Sequence, residues 1–133
     1  MMTQFAVAGA GVLPATAFLI DLVNGSGTTL TLQVATLTNG VWVPAPGPQI
    51  GSPVFPGDAP QYVNAPTNVF SGLGGQLQFV PMTGGTITIA WTWPSGGKPD
   101  AAVFTQKTNL VARGNLINTG SGQPDFQVSV TPT

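Results

Sequence analysis

The chain has 133 residues, of which 42% are hydrophobic and only 5% are charged, and its formal net charge is −1. It contains three basic residues, no glutamate, no histidine and no cysteine. We therefore expect no nucleic-acid binding and no polybasic recruitment to anionic lipid, because both need clustered Lys and Arg. A zinc site, a Ser–His–Asp triad and a Cys–His pair are not expected either, since their ligands or bases are absent. For this length we predict one domain spanning residues 1–133.

The N-terminal segment is apolar, but Gly9, Gly11, Pro14 and Asp21 interrupt it too often for a membrane-spanning helix. It also lacks the positively charged start of a signal peptide. We therefore expect a soluble protein that is cytoplasmic or secreted by a route without a signal peptide. Action at target membranes is compatible with either location.

Apolar and polar residues alternate with period two in the first two segments, TAFLIDLV and TTLTLQVAT, which flank a turn at residues 24–27. Such alternation is typical of half-buried strands, and the turn predicts a hairpin between them. The triplet Asn24-Gly25-Ser26 matches an N-glycosylation acceptor, but without a signal peptide we interpret it as part of this turn. Phe18, Ile20 and Leu22 share one face of the first segment, and Leu30, Leu32 and Val34 share one face of the second.

The rest of the chain continues this pattern of short strands separated by Gly and Pro. Asn39-Gly40 precedes the short segment VWV, and residues 82–85 join QLQFV to TITIAWTW in a second predicted hairpin. The proline-rich segment 44–60 predicts a long loop over the sheet or at its edge, because proline removes ladder donors. AAVFT, NLVA and DFQVSVT complete about eight strands. We predict an all-β, single-domain antiparallel β-sandwich with minimal helix, and a small barrel is the alternative.

Candidates for catalysis or metal binding are few. Asp100 and Asp125 are a conceivable acid–base pair, but no spacing favours it, and solvated loop aspartates are the simpler interpretation. Calcium binding through Asp58, Asp100 or Asp125 stays open, although no D-x-D-x-D motif supports it. We therefore predict that the protein is not an enzyme and uses no cofactor. A binding module, a membrane-active protein and an assembly subunit are the remaining classes.

The aromatic residues are the main candidates for ligand binding. In TITIAWTW both Trp91 and Trp93 fall on the apolar face, and Trp91, which is deeper in the strand, is favoured as a core residue. Trp93 stands at the strand end beside Pro94 and a polar loop, where an indole suits either the core or an interface between water and apolar material. Trp42 and Tyr62 are open to the same two interpretations.

The segment A-W-T-W-P-S-G-G-K, residues 90–98, resembles the Y-W-D-C-P-W-G-S-K segment of the aegerolysin family. Asn39 to Trp42, the glycine-rich turn at residues 71–77 and the closing stretch at residues 115–130 are also similar to family features in the same order. Trp93 stands where the family has Cys, Ser95 where it has a second Trp, and Thr92 where it has Asp. The resemblance implies an actinoporin-like β-sandwich, which fungal fruit-body lectins also adopt.

For function, the resemblance implies recognition of sphingolipid-rich or sterol-rich membranes, in a hemolysin-like and pore-associated role with a protein partner in some members. Carried over to this chain, it indicates Trp42, Trp91 and Lys98 as contacts, and Tyr62 and Trp93 complete the predicted ligand-binding set. A carbohydrate-binding lectin on the same fold and a self-assembling structural subunit are the alternatives. The low charge and the mean hydropathy of +0.28 lead us to expect a homo-oligomer.

Overall fold

The computed structural model describes residues 13–67 and 70–133. Most of the predictions about the apolar N-terminal segment therefore concern residues outside this range. Within it, no helix is long and apolar enough to span a bilayer. The described residues form ten strands: β1 Phe18–Asn24, β2 Leu30–Asn39, β3 Val41–Trp42, β4 Pro53–Val54, β5 Gln61–Ala65, β6 Leu73–Pro81, β7 Thr86–Trp93, β8 Asp100–Gln106, β9 Leu110–Ile117 and β10 Asp125–Pro132.

The strands form two five-stranded sheets, which confirms the predicted β-sandwich. The first sheet has the order β9-β10-β1-β5-β3, and the second has the order β4-β2-β6-β7-β8. The recorded strand pairs are antiparallel except for β10 with β1, which run parallel. This parallel pair brings the C-terminal strand beside the first strand, so residues far apart in sequence meet on one face of the first sheet.

The period-two alternation decides which side chains fill the space between the sheets. Phe18, Ile20 and Leu22 of β1 share one face, as predicted, and this face points inward and is essentially fully buried. In β2 a register shift between Leu32 and Val34 interrupts the alternation, so Val34 is only half-buried. One extra residue in a strand moves all later side chains to the opposite face, which the sequence pattern does not reveal.

The predicted hairpin between the first two segments is wrong, because β1 and β2 lie in different sheets. Residues 24–27 form a turn that crosses the sandwich, and Asn24 holds it together from inside. The amide of Asn24 donates to Thr28 O and Val54 O at 2.9 Å each, and its Oδ1 accepts from Ser26 Oγ and Ser26 N. Asn24 is fully buried, which favours the turn over a glycosylation acceptor in the folded protein.

The second predicted hairpin is confirmed, since β6 and β7 pair antiparallel across residues 82–85. The proline-rich segment lies at an edge, as expected. Its only strand is β4, which pairs with β2 through Leu30↔Val54 and Thr31↔Pro53. The rest of the segment is a series of turns that lines two cavities together with Tyr62 of β5.

Candidate functional site

Trp91 lies in the core, where Asn64 fixes its orientation. The indole Nε1–H donates to Asn64 Oδ1 at 3.0 Å, and the same oxygen accepts the backbone N–H of Gly74 at 3.0 Å. The Asn64 amide donates in turn to Asn39 O at 3.0 Å. Trp91 is only 4% exposed and has its N–H occupied, so it offers no face to a ligand. This placement agrees with the core interpretation, and we do not retain Trp91 as a contact residue.

Trp93, two residues further along β7, lies in a different environment. Its ring is half-buried and packs against Phe70 with 4.8 Å between ring centroids. Beyond it, residues 94–98 form an exposed turn in which Gly97 N donates to Pro94 O at 2.9 Å. Lys98, also exposed, is the one charge in this turn. The end of the sandwich thus presents an aromatic pair beside a small, nearly uncharged loop, which we call the Trp93 end.

Trp42 and Tyr62, on neighbouring strands of the first sheet, meet beneath the proline-rich segment. They line a cavity of about 200 Å³ together with Pro44, Pro48 and Gln61. The indole of Trp42 also packs edge-on against the core, at 6.0 Å between its ring centroid and that of Trp91. The sequence predicted both residues as binders, and the structure brings them to one cavity.

The chain wraps closely around this cavity. Gly47 N donates to Pro44 O at 3.0 Å, and Gly47 has a φ of 88°. A β-carbon at this position would overlap the Trp42 ring, so only glycine fits here. Burial raises the pKa of Tyr62 to about 12, which keeps its hydroxyl protonated as a donor at neutral pH. A second cavity of about 380 Å³ shares Pro48 and Tyr62 with the first, and the two follow the underside of the segment.

The aspartates are distributed differently from the sequence-based expectation. Asp100 and Asp125 lie in different sheets, and the carboxyl group that acts on Asp125 is that of Asp21, not that of Asp100. The carboxylates of Asp100 and Asp58 each accept a nearby backbone N–H, from Ala101 and Phe55 respectively, at 2.9 Å. In the ranges 13–67 and 70–133, no group of three or more His, Cys, Asp or Glu side chains comes together as a metal site.

Asp125 instead lies beside Asp21, a pair that sequence reasoning missed. The parallel ladder aligns Gln127 of β10 with Asp21 of β1, and Asp125 is two residues away on the same outer face. Desolvation by burial, followed by the contact with Asp21, raises the pKa of Asp125 to about 7. Asp21 also lines a groove of about 430 Å³ on this outer face, opposite Arg113. The only sequence signal was that Asp21 and Asp125 each lie in an alternating segment.

Comparison with known proteins gives a fold but no family. No protein-family model matches the chain, and no curated protein matches it significantly. Among solved structures, the chain resembles RahU protein in complex with a Tris molecule, with a TM-score of 0.71 and 16% identity over 90% of this chain and 96% of that one. Nakanori, described as a lipid binding protein, matches with a TM-score of 0.73 and 10% identity over 88% of this chain and 71% of that one.

A lectin also shares the architecture. The Xerocomus chrysenteron lectin XCL matches with a TM-score of 0.53 and 13% identity over 86% of this chain and 99% of the lectin. At such identities the likeness concerns the fold. It supports the β-sandwich fold that the sequence resemblance implied.

Proposed function

We propose that this protein is a non-enzymatic binding protein that recognises membrane lipid of the sphingolipid or sterol type through its Trp93 end. The observation that carries the proposal is the half-buried Trp93, whose ring packs at a tilt of 55° against Phe70 beside an exposed turn. An indole combines a large apolar ring with one polar N–H, so it is stable where water meets the apolar part of a bilayer. A buried indole such as that of Trp91 cannot reach this boundary between water and the bilayer.

The charge distribution supports the same proposal. Lys98 is the one charged residue in the turn at 94–98, and the net charge of the whole chain is −1. A zwitterionic lipid surface neither attracts nor repels such an end strongly, so binding relies on aromatic burial and on hydrogen bonds to headgroups. Lys98 supplies one cation for a phosphate group. The likeness to Nakanori, a lipid binding protein, adds support through the shared fold.

A more specific version of this proposal is that the lipid-bound protein takes part in forming a pore. It requires a protein partner or an oligomer, and its support is the sequence resemblance to aegerolysins.

The proposal is tested by co-sedimentation with vesicles of sphingomyelin and cholesterol, alongside vesicles of phosphatidylcholine. We expect the protein to pellet with the first and to remain in solution with the second. Trp93→Ala should lower the partition constant obtained from the pelleted fractions at least about tenfold, which corresponds to about 1.4 kcal/mol of lost binding free energy. Met82→Ala is the matched control, because Met82 is 77% exposed but lies in the β6–β7 turn, at the other end of β7. Equal losses in both variants would contradict a role for the Trp93 end.

A second candidate function is glycan binding in the cavity between Trp42 and Tyr62. An indole face stacks on a pyranose ring, while the Tyr62 hydroxyl and the Gln61 amide provide hydrogen bonds to sugar hydroxyls. The likeness to a lectin supports this candidate through the fold alone. A glycan array separates the two proposals. Hits that disappear in Tyr62→Phe, with vesicle binding unchanged, would favour the cavity, and an array without hits would exclude it.

A further inference from the structure

β8 is an edge strand whose outer side pairs with no other strand in the described parts of the chain. It pairs with β7 in a continuous register from Asp100↔Thr92 to Gln106↔Thr86. The opposite edge of the same sheet is β4, which is only two residues long and contains Pro53. One edge of this sheet is therefore short and interrupted by proline, whereas the other is long and regular.

The backbone groups of alternate β8 residues point away from the molecule. Ala101 N–H donates to the side chain of Asp100 at 2.9 Å, although Ala101 faces Trp91 in the ladder. In an antiparallel pair, a residue directs its N–H and its C=O to the same side, and the side alternates along the strand. Ala101, Val103 and Thr105 therefore direct their backbone groups to the free edge.

The strand lacks the sequence features that usually prevent pairing at an edge, and β9, which follows it after three residues, comes near it without pairing with it. Residues 101–106, AAVFTQ, contain no charge, no proline and no bulge. Natural edge strands are normally protected by one of these features or by a covering segment. In addition, Phe104 is 51% exposed on the outer face of the sheet, where Ala102, two residues away, is also exposed.

We propose that β8 is a self-association surface, and that it pairs antiparallel with β8 of a second copy of this chain around a twofold axis at Val103. In this register the Ala101 N–H exchanges its bond to the exposed Asp100 carboxylate for one to Thr105 of the second copy, Ala101 O accepts from the same Thr105, and the two Val103 residues bond each other. Ala102 faces Phe104 of the second copy in a non-hydrogen-bonded pair, where side chains approach most closely. The exposed ring of Phe104 thus covers the Ala102 side chain of the other copy, and the twofold axis produces this contact twice.

Neighbouring registers and the parallel orientation fit less well. Centring the axis on Phe104 would pair the two phenyl rings with each other and leave each Ala102 opposite Gln106, without a ring to cover it. Centring it on Ala102 would place Phe104 opposite Asp100. The two ends of the strand carry opposite charges, Asp100 and Lys107. Antiparallel pairing brings Asp100 of one copy next to Gln106 and Lys107 of the other, whereas parallel pairing would align like charges. With a net charge of −1, repulsion between two copies is small.

The proposal is tested first by the mass in solution, using sedimentation velocity from micromolar to millimolar concentration. We expect the wild-type chain to shift reversibly from monomer to dimer. Phe104→Lys should weaken the dimer at least about tenfold, because it removes the ring that covers Ala102, and Met82→Lys should have no effect. A wild-type chain that stays monomeric throughout, or a dimer that Phe104→Lys leaves unchanged, would overturn the proposal.

The register is tested by oxidative cross-linking, which is unambiguous because the chain has no cysteine. In the proposed dimer the two Val103 Cα atoms are about 5.5 Å apart, within the range of a disulfide. The two Gln106 residues are offset by six residues, or roughly 20 Å. Val103→Cys should therefore cross-link and Gln106→Cys should not. Equal cross-linking of both would indicate random collision and reject the register. Vesicle binding does not enter either measurement, so the two proposals fail independently.

Discussion

Replacing Asp125 by Asn should remove a pH dependence of stability that the acidic pair creates. Asp125 is 9% exposed, and among the described residues its Oδ1 has no hydrogen-bond donor, although the carboxyl of Asp21 lies against it. Burial and the contact with Asp21 raise the pKa of Asp125 from 3.8 to about 7. Protonation of Asp125 removes the cost of burying its charge beside a second carboxyl group.

The direction of the effect follows from proton binding in the two states. Between pH 3.8 and about 7 the unfolded chain releases the Asp125 proton while the folded chain keeps it, so stability falls as pH rises through this window. The full contribution is present below the unfolded pKa. Each pKa unit corresponds to about 1.4 kcal/mol, so a shift of about three units sets an upper limit of about 4 kcal/mol.

Urea denaturation at a series of pH values from about 4 to about 8 measures this contribution. The wild type should lose stability over the range, and Asp125→Asn, which keeps a neutral side chain of the same shape, should show a much flatter profile. Asp58→Asn is the matched control, because Asp58 is exposed and should leave the wild-type slope in place. Parallel profiles for the wild type and Asp125→Asn would refute the account of the pair.

Two further substitutions test how the aromatic residues are held. Asn64→Ala leaves the N–H of Trp91 without its acceptor in the core and should cost about 2–4 kcal/mol in the free energy of unfolding, whereas a loss below about 1 kcal/mol would show that water or another group replaces Asn64. Gly47→Ala forces its new methyl group into the Trp42 ring and should open the neighbouring cavity, seen as a red shift of tryptophan emission and a lower melting temperature. Unchanged emission and melting would mean that the segment moves aside without cost.

The sequence alone predicts the strand faces and hairpins that depend on residues close together in the chain. Alternation in TITIAWTW identifies Ile87, Ile89 and Trp91 as inward-facing, and residues 82–85 predict the hairpin that joins β6 to β7. The turn at residues 24–27, where the chain crosses to the other sheet, cannot be predicted from neighbouring residues. It is held by a hydrogen bond from Asn24 to Val54, thirty residues away.

In the candidate site, too, features that depend on contacts between distant residues could not be predicted from the sequence. Trp91 and Trp93 have identical positions in the alternating pattern, and their difference in burial comes from Asn64 on another strand and from the end of β7. The meeting of Trp42 with Tyr62 and that of Asp21 with Asp125 depend on strand order, including the parallel pairing of β10 with β1. No local pattern encodes those contacts.

The most direct test of lipid recognition through the Trp93 end is fluorescence quenching by lipids brominated in their acyl chains, in sphingomyelin–cholesterol vesicles. We predict strong quenching of the wild type, little quenching of Trp93→Phe, and wild-type quenching of Trp42→Phe, since only the indole at the end of β7 would enter the bilayer. Equal quenching of the wild type and Trp93→Phe, or no quenching of the wild type, would contradict the proposal.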